Sequence, residues 1–181
     1  MSFRDEIRKW ATSAGSDEDT AVYIKGKGWI DLDAMVEMGD EMIQFDTRYG
    51  STQDKEGRLF RLDHAMAASD VVDLDSFLGE SGDRMAAFAA ILDHGVFNSN
   101  RSPTAADYQE AIERCVVSDL GTDSDDIGYN YAEIFGAFDD LPEHLHFYFD
   151  ADHWAHDQMI NESGSLYEFE GAYYWVDFSG A

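Results

Sequence analysis

Between Asp125 and Asp157 the chain sets eight aromatic side chains among nine carboxylates, without one lysine or arginine. The aromatics are Tyr129, Tyr131, Phe135, Phe138, Phe147, Tyr148, Phe149 and Trp154. Rings at this density must mostly be buried, because each carries a large apolar area. Carboxylates are almost never buried unpaired, and here only His144, His146, His153 and His156 offer a cation. The stretch therefore has to fold into short elements with an aromatic inside and an unneutralised anionic outside. That outside is where function is expected.

The whole chain follows the same bias. Its 181 residues hold 38 acidic and 12 basic side chains, a formal charge of -26. Such a surface repels nucleic acid and anionic membranes, so the partners it suits are cationic: metal ions, basic peptides, or proteins that hold DNA. A hydrophobic fraction of 44% with 14% aromatics supports a packed core, unlike a disordered acidic tail. The single cysteine, Cys115, excludes an internal disulfide and fits a reducing compartment. It falls on the apolar side of an expected helix, where it packs. The N-terminus has no apolar signal region and no run of 18 apolar residues occurs, so the expected location is the cytoplasm.

The chain order predicts an α+β fold. Residues 1–19 read as an extension and linker: a short amphipathic helix over 2–12 with Phe3, Ile7 and Trp10 on one side, then a polar tract from Thr12. Residues 20–72 read as a small α+β lobe. It has a strand at Ala21–Lys25, its continuation at Trp29–Ile30, a helix capped by Asp31 or Asp33 and running to Met38, and short strands at Met42–Arg48 and Leu59–Leu62. Residues 73–118 read as a helical lobe. One helix is capped by Asp83 and closed by Gly95; the next starts at Ser102-Pro103 and buries Ala105, Tyr108, Ala111, Ile112 and Cys115. Residues 119–181 read as an acidic loop, helices near 126–138, 142–148 and 150–160, and a hairpin turning at Gly171.

Motifs for chemistry are scarce. Asp123-Ser124-Asp125-Asp126-Ile127-Gly128 has the opening of a calcium loop, but Ile127 and Ile134 occupy ligand positions five and twelve. No phosphate-binding loop, nucleophile elbow or dinucleotide fingerprint occurs. His153 and His156 share a helix face with Asp152 and Asp157 beside them, so a His/Asp metal site completed by His144 and His146 is one reading. His144 and His146, two apart, cannot share a face. Charge alone leaves other readings open. With 25 Asp against 13 Glu and only four Lys, the acidity suits adaptation to high salt. Carboxylates at helical spacing, roughly 5–6 Å apart, also suit imitation of duplex DNA, which carries a charge about every 1.7 Å of its axis.

The C-terminal half carries Gly128-Tyr129-x-Tyr131-Ala132-Glu133 with Gly136, then Leu141-Pro142-Glu143, then Tyr148-Phe149-Asp150 and Asp157. In these residues it resembles the ArdA antirestriction proteins, which mimic DNA and inhibit type I restriction–modification enzymes. The strand Val22-Tyr23-Ile24 and the hairpin with Gly171 and Tyr173 agree with this resemblance, whereas Ala151, Trp154, Ala155 and His156 depart from the family's tendencies. The resemblance implies an elongated, curved chain of about three small lobes, a homodimer, no catalysis and no cofactor, with a type I enzyme as the partner in place of nucleic acid or membrane. On it, the carboxylates expected to stand in for phosphates are Asp107, Glu110, Glu113, Asp123, Asp125, Asp126, Asp139, Asp140, Glu143, Asp150, Asp152 and Asp157. Two such chains repel one another, so their contact has to be apolar. Ile127–Phe138 is the best candidate, with Tyr129, Tyr131 and Phe135 expected at it.

Overall fold

A computed structural model describes residues 12–13, 20–24, 28–43, 58–59, 65–79, 81–97 and 102–181. The expected helix over residues 2–12 lies almost wholly outside this range, as do the continuations of the strands expected at 42–48 and 59–62. The fold is α+β. Its first part comprises β1 (Thr12–Ser13), β2 (Thr20–Ile24), β3 (Gly28–Asp31), α1 (Leu32–Met38), β4 (Met42–Ile43), β5 (Arg58–Leu59) and β6 (Met66–Ala67). β2 pairs antiparallel with β3, opposing Tyr23 and Trp29, and parallel with β5; β4 pairs antiparallel with β6. Thr12–Ser13, expected as linker, instead form a parallel edge strand beside Tyr167–Glu168.

Three helices follow: α2 (Ala68–Leu78), α3 (Gly82–His94) and α4 (Ala105–Arg114). α2 begins five residues before the expected Asp73, and buries Ala68, Val71, Leu74 and Leu78 at helical spacing. α3 is capped by Ser81, whose hydroxyl accepts from the Arg84 amide; Asp83 lies in the first turn instead. Gly95 closes α3 in the left-handed conformation, as expected. Every residue of α3 from Met85 to Ile91 is buried, which makes it the central helix of the main core, and its four alanines allow close approach on all sides. α4 starts at Thr104 rather than Ser102. The Thr104 hydroxyl and the Asp107 carboxylate bond each other's backbone amides in a capping box.

The chain then forms β7 (Val116–Asp119), α5 (Ile127–Ile134), a 3-10 helix (Glu143–Tyr148), α6 (Ala151–Asn161), β8 (Gly164–Phe169) and β9 (Ala172–Asp177). The last two make the expected hairpin. Its two-residue turn, Glu170-Gly171, has φ of 51° and 79°, the left-handed pair such a tight hairpin requires. The sheet runs β1-β8-β9-β7 and separates two cores. One face carries Tyr167, Phe169, Tyr174 and Val176 into the core of α1–α4. The other carries Leu166 and Trp175 into a second core with Leu120, Ile127, Tyr131, Ala155 and Met159. Strand alternation produces this division: the paired Tyr167 and Tyr174 face one side, and the paired Leu166 and Trp175 face the other.

Candidate functional site

The expected carboxylates fall into two groups on opposite sides of the sheet. Asp107, Glu110 and Glu113 belong to α4, whose apolar face is in the first core. Glu110 and Glu113 are exposed; Asp107 is half-buried, its Oδ2 accepting from the Thr104 amide at 2.8 Å. Arg114 pairs with Glu110 one turn away. Arg114 is the sole lysine or arginine between residues 102 and 181, a span with 18 carboxylates.

The other nine surround the second core. Asp123, Asp125 and Asp126 are exposed in the loop before α5. That loop is held firmly. Leu120 donates to the Tyr173 carbonyl at 2.8 Å, Tyr173 donates to the Gly121 carbonyl at 2.8 Å, and the Asn130 side chain donates to the Leu120 carbonyl at 2.8 Å. Within it Asp123 accepts from the Asp125 amide at 2.9 Å, a side-chain turn that fixes its direction. Asp139 and Asp140 are exposed in the turn after α5, and Glu143 is exposed where the 3-10 helix opens. Asp150 is exposed and caps α6 by accepting from the His153 amide at 3.0 Å. Asp157 is exposed, with His153 Nε2 at 3.6 Å and His156 Nδ1 at 3.7 Å. Asp152 departs from the expectation of a surface charge: it is half-buried, pressed against α5 at Gly128.

Three further exposed carboxylates belong with these. Glu133 stands on the solvent side of α5, Glu170 at the hairpin turn and Asp119 at the end of β7. Glu133 was legible in the sequence, since it lies four residues after Tyr129 on one helix face. Asp119 was expected at the start of an acidic loop; the structure places it instead as the last residue of β7, a strand that was not expected.

The aromatic residues divide differently from expectation. Tyr131, expected at a contact between chains, is 0% exposed. Its ring stacks on Phe135 at 4.3 Å and meets Trp175 edge-on at 5.5 Å, and its hydroxyl donates to Glu162 at 2.9 Å. It is a core residue of its own chain. Tyr129 and Phe135 remain 45% and 40% exposed. Phe147 and Tyr148, counted among the rings expected to be mostly buried, instead project from the 3-10 helix into solvent.

The histidines do not converge. His146 is half-buried, stacked on Phe138 at 4.7 Å with Nε2 2.8 Å from the Leu141 carbonyl. His144 is exposed on the same short helix, while His153 and His156 flank Asp157 on α6. Among the described residues no three His, Cys, Asp or Glu side chains are grouped to hold a metal ion, and no helix is long and apolar enough to cross a membrane. Cys115 is half-buried at the end of α4, its thiol pushed up to about 11 by burial and by Asp177 nearby, which makes it a poor nucleophile.

No curated protein and no solved structure gives a match to this chain. The sequence profile of the antirestriction protein ArdA matches residues 29–173, from β3 into β9, so both groups of carboxylates fall within the match, as do both cores apart from Tyr174, Trp175 and Val176 on β9. The chain belongs to the ArdA family of antirestriction proteins.

Proposed function

We propose that the protein blocks restriction by mimicking the charge and shape of B-DNA and occupying the DNA-binding channel of a type I restriction–modification enzyme. The observation that carries this reading is the surface around the second core. Asp123, Asp125, Asp126, Asp139, Asp140, Glu143 and Asp150 are exposed on loops and helix ends anchored by hydrogen bonds, Asp157 is exposed midway along α6, and the sequence after Arg114 supplies no lysine or arginine to neutralise them. A DNA-binding channel holds its cations at fixed spacing for phosphates. Carboxylates fixed on a folded surface meet those cations without the ordering cost of a flexible acidic tail. Carboxylates imitate phosphates and not base edges, so binding extends across enzymes of this type whatever sequence each recognises. The protein acts in the cytoplasm, without nucleic acid, membrane or cofactor. It works as a homodimer joined through the exposed rings near the two ends of α5, Tyr129 in its first turn and Phe135 just past its last residue.

Neutralising the carboxylates in groups tests this. Asn and Gln replacements at Asp123, Asp125 and Asp126, then also at Asp139, Asp140 and Glu143, are expected to weaken inhibition of a type I enzyme stepwise. Single replacements are expected to change it little. Loss of all inhibition through one Asp→Asn change would point to a discrete site and sink the mimic. The excess of Asp over Glu and the four lysines favour a second reading, salt adaptation without a DNA-related partner. A fold that collapses below molar salt and leaves every restriction enzyme unaffected would support that one instead.

A further inference from the structure

The 3-10 helix Glu143–Tyr148 carries the two most exposed large apolar side chains among the described residues: Phe147 at 92% and Tyr148 at 81%. The segment is nonetheless fixed on both sides of them. His146 is anchored by the Phe138 ring and the Leu141 carbonyl, and Phe149 packs edge-on against Phe138 at 5.2 Å. Between these anchors the Phe147 and Tyr148 rings stand edge to face, 5.7 Å apart at 86°. Rings held in a fixed arrangement and left in water lose little side-chain entropy on binding and gain a large buried area.

Charge decides what can cover them. Glu143 and Asp150 bound the segment, Asp139 and Asp140 precede it, and all four are exposed. A second copy of this chain would bring the same carboxylates face to face with these. A cationic partner would be drawn to them. An arginine is the side chain that uses both features together, because its planar guanidinium lies on a ring face while its edge donates to a carboxylate. The chain makes the ring half of such a contact internally: the Arg84 guanidinium lies 4.3 Å from the centre of the Phe77 ring while donating to the Phe77 carbonyl. Among the described residues no cation lies over Phe147 or Tyr148.

We propose that Phe147 and Tyr148 form an arginine-binding platform, on which an arginine of the target enzyme's DNA channel stacks while the flanking carboxylates bind its edge. This rests on the DNA-mimic reading and deepens it. Carboxylates replace phosphates, and these two rings replace the π-faces on which arginines stack when single strands or opened bases are held.

The test compares binding of the full chain and its variants to one type I restriction–modification enzyme between about 50 and 200 mM salt. The variant Phe147→Leu with Tyr148→Leu keeps most of the apolar area and removes the π-faces. It is expected to bind about tenfold more weakly, with an unchanged slope of log K against log salt. Asp139→Asn with Asp140→Asn is expected to flatten that slope. Both ring positions are solvent-exposed, so melting temperature and light-scattering mass should match the wild type. Wild-type affinity in the Leu variant overturns the platform, and so does a loss confined to Ala replacements, which would mean plain apolar contact. A halved mass in the Leu variant also overturns it, since the rings would then join two copies. A wild-type chain that binds no type I enzyme removes the mimic itself, an outcome distinct from all of these.

Discussion

Tyr131 shows how a single ring was legible and yet misplaced. Tyr129 and Tyr131 are two residues apart, which on an α-helix is roughly 200° of rotation, so they cannot share a face. Tyr131 and Phe135 are four apart and do meet. Periodicity alone separates the buried tyrosine from the exposed one; only the choice of inner side required the fold. Burial gives Tyr131 a titration consequence. Its hydroxyl is held protonated well above the usual tyrosine range by desolvation, by its hydrogen bond to Glu162 and by that carboxylate's charge. Tyr174 is raised by burial and then by Asp119, Asp83 and Glu170, and Cys115 is raised to about 11. In each case the unfolded chain releases its proton at lower pH than the folded one. The stability these groups contribute is therefore complete below their unfolded values and is lost as pH rises through the folded ones. Thermal melts should hold level near neutrality and fall progressively from about pH 9 upward. Tyr131→Phe, less stable at pH 7 by about 1 kcal/mol for the lost hydrogen bond, should show a shallower alkaline fall. An equally steep fall in that variant would assign the alkaline loss to other groups.

Among the elements, the hairpin, the 3-10 helix and α6 were readable because each has a strong local signal: left-handed turn residues, Pro142 ahead of a short helix, and Asp150 three residues before the amide it caps; α5, expected to run to about residue 138, stops at Ile134, just before Gly136 turns left-handed. The start of α4 was misread for a recoverable reason. Ser102 has Ala105 three residues on, whereas Thr104 has Asp107, and only the second pair can make a capping box. β7 gave little signal. It is a four-residue edge strand with Val116 facing solvent, and its place is set by pairing with β9, some sixty residues later. The crossing of α5 and α6 was likewise invisible locally. A Cβ on Gly128 would lie 2.2 Å from Asp152 Oδ1 and 2.8 Å from the Asp152 Cα. Gly128→Ala would strengthen an isolated helix, but here it has to push α6 away. The expected result is a net loss of about 1–3 kcal/mol in denaturant unfolding, with Asp150 and Asp157 displaced. A stabilised protein would mean that the two helices separate easily.

At the scale of the molecule, composition narrowed the partners only to cationic ones and the family gave the antirestriction activity; the division of the charge into two groups by one sheet came only with the fold. The proposed dimer belongs to this scale. Each chain carries a formal charge of -26, so association requires an apolar contact that excludes carboxylates. With Tyr131 buried, Tyr129, Ile134 and Phe135 are what α5 has to offer. Light scattering at micromolar concentration and moderate salt should give twice the chain mass, and Tyr129→Ala with Phe135→Ala should shift it toward the single chain. An unaltered dimer in that variant would place the contact elsewhere.

The sheet between the two cores also governs the order in which the molecule can be made. Helices α2, α3 and α4 leave the ribosome well before β8 and β9, yet Tyr167, Phe169, Tyr174 and Val176 form one wall of their core. Until that hairpin emerges, the central helix has apolar side chains with nothing to cover them on one side, and the second core has no floor. The contacts of that hairpin with both cores close late, and late closure of long-range contacts is associated with slow folding and exposure to aggregation. The dense negative charge then has a role before any enzyme is met: mutual repulsion keeps half-made chains apart while they wait for their last two strands.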